Sequence, residues 1–222
     1  MLFRGGIEAT SNGTLIMSAG AAIIYGLIVN ARPTLAKSAV KTLAVALLAV
    51  LVFVENGPLL LFTALAASAT GDAFLSRDGD RAFLGGLASF LAACLLYIGL
   101  FFMTGAGSDV ILADIWRTAV AAGTGILAIL MVGLLWRRVN PAMRLPILLY
   151  VFGAVIMGMA ALTTDRALII CGALMLMASD TLLATEKFLV SAISPYRSSM
   201  RVVVWALYYV AQLLVALGFI LK

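Results

Sequence analysis

The sequence predicts an all-α fold, a polytopic bundle of about eight transmembrane helices in a single domain that covers residues 1–222. Composition is the first indication: apolar residues make up 64% of the chain and charged residues 11%, whereas a soluble domain is about half apolar and a quarter charged. The mean hydropathy of +1.15 agrees with this. The apolar residues also fall into runs of about 20 residues, the length that a helix needs to cross ~30 Å of hydrocarbon.

Turn-forming and charged segments delimit the first four spans. Residues 1–13 lack the basic start and cleavage site of a strong signal peptide, and we expect them to form a short tail. Asn56-Gly57-Pro58 is a turn signal, and Pro58 suits a helix start, where its missing N–H needs no partner. A charged turn, residues 76–81, precedes the fourth span. These spans are predicted at residues 14–30, 38–55, 58–75 and 82–103.

A longer connection, residues 104–116, leads into the second half of the chain. Its VILADIW portion is expected to lie flat in the membrane interface. The later spans are separated by loops that carry basic residues or proline, and all five prolines are expected at span ends or in loops. The remaining spans are predicted at residues 119–136, 145–162, 167–188 and 201–221.

The basic residues predict the orientation of the bundle. Four of them lie on one side: Arg4, Arg117, Arg166 and Lys222. The other eleven lie in or beside the alternate loops: Arg32, Lys37, Lys41, Arg77, Arg81, Arg137, Arg138, Arg144, Lys187, Arg197 and Arg201. Basic loops face the cytoplasm, so both termini are predicted outside a cell or inner membrane. The same distribution explains the net charge of +5 without nucleic-acid binding.

Two acids inside apolar runs are the candidate site. Asp72 lies 14 positions after Pro58 and Asp180 lies 14 positions after Arg166, in spans predicted to run in the same direction. At 1.5 Å per residue, each is ~21 Å from the outer face, at a matched depth near the cytoplasmic leaflet. An acid within a membrane helix is costly and marks a functional site by default. Structural capping or pairing near helix ends is the alternative interpretation.

The amino-acid inventory excludes some chemistry. The chain has no His, and common catalytic zinc sites use at least one imidazole, so a three-His zinc hydrolase is excluded. Cys94 and Cys171 each fall in an apolar run, where a free Cys behaves as a small hydrophobe. We expect neither a metal nor a cofactor.

Four sequence motifs resemble those of the lysoplasmalogenase (YhhN-type) family of membrane proteins. They occur in the family's order from the third span onward: GDAFLSRDGDRAFLGGLASFLAACLLYIGLF, RLPILLYVFGAVIM, ASDTLLATEKF and YYVAQLLVALG. The resemblance implies a hydrolase that cleaves the vinyl ether bond of lysoplasmalogens, releasing a fatty aldehyde and a glycerophospho-headgroup. It also implies lysophospholipid and membrane lipids as partners. One departure is Ala92-Ala93-Cys94 in the fourth span, where family members often carry a His.

The resemblance places the paired catalytic acids on Asp72 and Asp180. It places substrate-contacting polar positions on Asp80, Tyr97, Tyr150, Lys187, Tyr209 and Gln212. Arg201, at the cytoplasmic rim with Lys187 and Arg197, is a further candidate for the lipid phosphate, although topology alone explains charge there. Interfacial tyrosines, an interhelical Gln212, and loop ion pairs of Asp78 and Asp80 with Arg77 and Arg81 are the structural alternatives.

Two carboxyls in a poorly solvated site could divide the work of vinyl ether hydrolysis. One keeps its proton and delivers it to the β-carbon, and the ionised partner stabilises the oxocarbenium ion, as glycosidase carboxyls do. The drier flanks of Asp180 favour it as the acid and Asp72 as the anion. A proton-coupled transporter that uses the acids as a relay is the main alternative. A lipid hydrolase with Mg²⁺ or Ca²⁺ on oxygen ligands is another.

Overall fold

The computed structural model describes residues 3, 6, 9–77 and 79–221, and this part of the chain forms nine α-helices and no strand. Arg4, Asp78 and Lys222, whose charges were considered above, lie outside the described residues. The helices are α1 Thr10–Ile28, α2 Leu35–Val54, α3 Leu59–Leu75, α4 Asp80–Thr104, α5 Asp109–Ala113, α6 Ile115–Trp136, α7 Pro141–Leu162, α8 Ala167–Ala184 and α9 Tyr196–Ile220.

The predicted polytopic helical bundle is confirmed. Seven helices of the described chain are long and apolar enough to cross a membrane. The eighth expected span, α3, is a 17-residue apolar helix, at the lower end of the spanning range of about 17 to 25 residues. The remaining helix, α5, has five residues and falls within the expected interfacial segment.

Several helices begin before the apolar run that predicted them. α1 begins at Thr10, α7 at Pro141 and α9 at Tyr196, because a helix continues into the polar interface beyond the hydrocarbon. Asn140 caps α7 by accepting a hydrogen bond from the Ala142 N–H at 3.1 Å. The expectation that all prolines lie at span ends is therefore wrong for Pro146, which is inside α7.

The C-terminal end of α8 continues into a π-helical turn. Thr185–Leu189 continues α8 with i→i+5 bonding, and the Val190 N–H donates to the Thr185 carbonyl at 3.0 Å. π-helical turns are rare and occur frequently at functional sites. This one begins five residues after Asp180 and carries Glu186 and Lys187.

Close packing of small residues brings α8 and α9 together. A Cβ on Gly172 of α8 would lie 2.7 Å from Val215 Cγ2 and 2.9 Å from the Ala211 carbonyl oxygen of α9. A Cβ on Gly218 of α9 would lie 2.7 Å from Ile169 Cγ1 of α8. Membrane helices associate through such small residues, because lipid offers no hydrophobic driving force between them. This contact sets the position of the helix that carries Asp180.

The buried core and the order of neighbours place the two acid-bearing helices apart. α3 packs between α2 and α4, whereas α8 packs on α9 and α7, and α9 also contacts α2. The matched depth of the two acids leads to the expectation that their helices are direct neighbours. This expectation is wrong, because within the described residues α3 and α8 are not extensively packed on each other. The space between them is occupied by a cavity.

Candidate active site

Asp72 lies at the meeting point of three helices and is 1% exposed. It follows Pro58, the N-cap of α3, by 14 positions. Lys41 Nζ of α2 lies 2.9 Å from its Oδ1, and the Tyr208 hydroxyl of α9 donates to its Oδ2 at 2.8 Å. Both carboxylate oxygens thus have a partner.

The ion pair explains how Asp72 is tolerated in an apolar helix. A buried charge without a partner costs several kcal/mol, about 3–5 kcal/mol when one member of a buried pair is removed. Lys41 has the matching problem, because it lies six residues into α2 in the run LAKSAVKTLAV, with its side chain 14% exposed. Pairing offsets both costs, and the positive charge of Lys41 favours the ionised form of Asp72.

Asp180 has a different environment. It is half-buried in α8, 14 positions after the N-cap Arg166, and the Tyr150 hydroxyl of α7 donates to its Oδ2 at 2.7 Å. Among the described residues, no Lys or Arg forms a salt bridge with it. The two acids therefore lie at matching positions in their helices, one with a cation and one without.

Both carboxylates line a single cavity of about 820 Å³. This volume is within the usual range for small-molecule sites, about 300 to 1,000 Å³. Its polar part is built by α2, the π-helical turn and α9, from Lys37, Lys41, Glu186, Lys187, Arg197 and Arg201. Its apolar part follows α6, α7 and α8, with Leu127, Met131, Leu135, Ile147, Val155 and Leu174. The acids lie where charged and apolar walls meet.

A network of charges borders the polar part. Glu186 is 6% exposed, and its Oε1 accepts from Arg197 Nε and, at 3.2 Å, from Arg201 Nε. Lys187 Nζ lies 4.2 Å from the Phe83 ring centroid, in a cation–π contact. Lys37 Nζ donates to the Val29 and Ala31 carbonyls, both at 2.7 Å, and so satisfies carbonyl groups just after the C-terminal end of α1. Cations outnumber acids around this end of the cavity.

Five of the nine candidate residues predicted from sequence line the cavity: Asp72, Tyr150, Asp180, Lys187 and Arg201. The other four lie elsewhere. The Tyr97 hydroxyl donates to Gln212 Oε1 at 2.5 Å, and Gln212 Nε2 donates to Ser68 Oγ at 3.1 Å. This buried chain of hydrogen bonds links α4, α9 and α3, which is the interhelical alternative considered for Gln212.

Tyr209 and Asp80 also lie away from the cavity wall. The Tyr209 hydroxyl lies 2.9 Å from Ser18 Oγ, which donates to the Ala44 carbonyl at 2.6 Å, so Tyr209 joins α9 to α1 and α2. Asp80 is the exposed first residue of α4, where a negative charge is favourable at the helix N-terminus. Neither position contacts the two acids.

Sequence reasoning missed the role of Lys41 and the assignment of Tyr208. The sequence predicts Lys41 to be one of the cytoplasmic loop charges, and it offers Arg77 and Arg81, close to Asp72 along the chain, as the nearby cations. A signal for the true partner was present: a Lys well inside an apolar run requires an acid at similar depth. The sequence does not distinguish Tyr208 from the other tyrosines of the chain.

These features define a class of protein: a multi-pass helical membrane protein with an amphiphile-sized internal cavity that carries two carboxylates. The model of the YhhN family matches residues 36–219, and the chain belongs to this family. The matched region begins in α2 and ends in α9, so it covers both acids and every hydrogen-bond or ion-pair partner described for them. No curated protein and no solved structure matches the chain.

Proposed function

We propose that this protein is a membrane-embedded hydrolase that cleaves the vinyl ether bond of lysoplasmalogens to a fatty aldehyde and a glycerophospho-headgroup. The observation that carries the proposal is the shared cavity. It presents one carboxyl held beside a cation and one without a cation, between a basic wall and an apolar wall. Family membership supports the same activity.

Asp180 is the proton donor in this proposal. An acid with no neighbouring cation in a poorly solvated site favours its neutral, protonated form. The Tyr150 hydroxyl donates to Oδ2 and orients the carboxyl, which leaves Oδ1 to carry the proton. Transfer of this proton to the β-carbon of the vinyl ether breaks the C=C π bond. The positive charge is then shared between the α-carbon and the ether oxygen, as an oxocarbenium ion.

Asp72 supplies the fixed negative charge. Lys41 and Tyr208 hold it ionised and oriented, so it stabilises the oxocarbenium ion and positions water without changing its own protonation. Water adds to the α-carbon and gives up a proton to the Asp180 carboxylate, which restores the acid. The resulting hemiacetal then breaks its bond to the glycerol oxygen, and the products are the aldehyde and the free alcohol.

The lipid headgroup is placed at the basic end of the cavity in this proposal. Arg197 and Arg201 each contact Glu186 through Nε. Glu186 therefore does not occupy their terminal guanidinium nitrogens, which are suited to binding a phosphate. Lys187 adds a third cation at the same end. The positive-inside rule predicts that this end faces the cytoplasm, and in this proposal the substrate enters from the cytoplasmic leaflet.

The decisive experiment offers purified protein a lysoplasmalogen beside its saturated ether analogue, with aldehyde release as the readout. We expect aldehyde from the vinyl ether only, because the saturated ether has no carbon that can accept the proton. Activity is expected to persist in the presence of a chelator. Absence of aldehyde from folded, detergent-solubilised protein would overturn the proposal. Aldehyde release that is lost only when a chelator is added would indicate the metal-dependent alternative.

A proton-coupled carrier is the second candidate, and two observations favour it. Pro146 lies inside α7, the helix that carries Tyr150, and the π-helical turn follows the end of α8, the helix that carries Asp180. Interrupted helices beside intramembrane acids are typical of transporters. Proteoliposomes would distinguish the two: acid-dependent uptake of a lysolipid or small solute, with no aldehyde formed, would support the carrier.

A further inference from the structure

The apolar part of the cavity is a groove along one face of α6. Its α6 lining residues follow the helical pattern i, i+3, i+4, i+7 and i+11, at Thr124, Leu127, Ala128, Met131 and Leu135. This spacing places them on a single helix face, and eleven residues correspond to a length of ~16 Å. The groove therefore runs from the cytoplasmic-side end of α6 to about its middle.

The last lining residues of α6, α7 and α8 lie at a similar depth in the bundle and mark the end of the groove. Val155 is the last lining residue of α7, five positions beyond Tyr150, and Leu174 is the first of α8, six positions before Asp180. Val155 therefore lies ~8 Å from Tyr150 along α7, and Leu174 lies ~9 Å from Asp180 along α8, both toward the α7–α8 loop. Arg117 of α6 donates to the Leu162 carbonyl beside this loop at 2.5 Å, so Thr124 lies at the same end of the groove.

We propose that the groove holds the alkenyl chain of the substrate, and that Thr124, Val155 and Leu174 determine how many of its carbons are bound. The inference rests on the proposed function and adds its chain specificity. The charged wall formed by α2, α9 and the π-helical turn is unsuited to hydrocarbon, whereas the apolar wall of α6, α7 and α8 suits it and extends beyond Asp180 toward the α7–α8 loop.

The physical basis is burial of methylene groups. Each methylene that contacts the groove contributes about a fourfold factor to kcat/KM, and a methylene beyond its end contributes nothing. Thr124 presents its methyl group to the chain, because its hydroxyl already donates to the Ala121 carbonyl at 2.9 Å. A larger side chain at this end shortens the groove, and a smaller one lengthens it.

The test measures kcat/KM for a series of lysoplasmalogens that differ only in chain length, in wild type, Thr124→Phe and Leu174→Ala. In Thr124→Phe we expect kcat/KM to stop rising at a shorter chain, with the longest chains losing roughly tenfold while short chains are unchanged. In Leu174→Ala the rise continues to a longer chain. Ile126→Phe is the matched control, since Ile126 is 59% exposed on another face of α6.

Measuring binding as well as cleavage distinguishes failure of the groove inference from failure of the proposed hydrolysis. Saturated ether analogues of each length bind but are not cleaved, and their Kd values should show the same length limits. If all variants release aldehyde and kcat/KM depends on chain length in the same way as in wild type, the inference is overturned and the proposed function stands. Length-dependent binding that shifts in the variants, with no aldehyde from any substrate, supports the groove and overturns the proposed hydrolysis.

Discussion

At the scale of single residues, the two acids differ in what surrounds them rather than in where they lie along their helices. Asp72 contacts Lys41 and Tyr208, and Asp180 contacts Tyr150 alone among the described hydrogen-bond and salt-bridge partners. Environment of this kind separates an acid from an anion in enzymes that use two carboxyls.

Asp180→Asn should lower aldehyde release by at least ~10²-fold without unfolding the protein. The amide oxygen still accepts from Tyr150, but the side chain has no acidic proton to deliver. Asp109→Asn, an exposed acid in α5, is the control and should keep full activity. Wild-type rates in Asp180→Asn would remove this residue from the mechanism.

Lys41→Met should be destabilising, by about 3–5 kcal/mol, because it leaves the Asp72 carboxylate buried without its cation. Combining Lys41→Met with Asp72→Leu should recover most of this stability, since the buried charge is gone. Aldehyde release should be lost in the single and in the double variant. Thermal unfolding in detergent and aldehyde release measure the two effects. Equal unfolding temperatures for wild type and Lys41→Met would show that the ion pair is unimportant for stability.

At the scale of elements, the site depends on how closely α8 approaches α9. α8 carries Asp180, α9 carries Tyr208, and Gly172 lies in their contact. The helices are apolar on nearly all sides, as expected for buried membrane helices, so small residues rather than an amphipathic stripe decide which faces meet. A change at this contact should therefore affect both stability and catalysis.

Gly172→Val should lower the unfolding temperature and reduce activity together. Its Cβ would lie 2.9 Å from the Ala211 backbone oxygen, which cannot rotate away, so α8 must shift. Gly123→Val in α6 is the matched control, because nothing lies within 4 Å of a Cβ there. Equal effects of the two substitutions on the unfolding temperature would contradict the proposed role of the α8–α9 contact.

At the scale of the whole molecule, the basic loops, the basic end of the cavity and both acids lie toward the same side of the bundle. Apart from the short α5, successive helices alternate in direction, so the start of α2, the end of α8 and the start of α9 meet at one side. If this side is cytoplasmic, the substrate comes from the inner leaflet.

Cysteine labelling tests this orientation. In a background lacking Cys94 and Cys171, Ile193→Cys should react with a membrane-impermeant thiol reagent only after permeabilisation, since residue 193 is 93% exposed in the loop before α9. Ser108→Cys, in the connection before α5, should react on intact cells. The reverse pattern would place the basic end of the cavity at the outer leaflet.

The sequence by itself determined the membrane class, the order and approximate ends of the spans, the matched positions of Asp72 and Asp180, and the family. These properties depend on local composition and on distance along the chain. The tertiary structure alone decided that Lys41 pairs with Asp72, that Tyr97 and Gln212 join helices, and that the acids share one cavity. Such contacts depend on the neighbour and rotation of each helix, which nearly uniform apolar sequences encode only weakly.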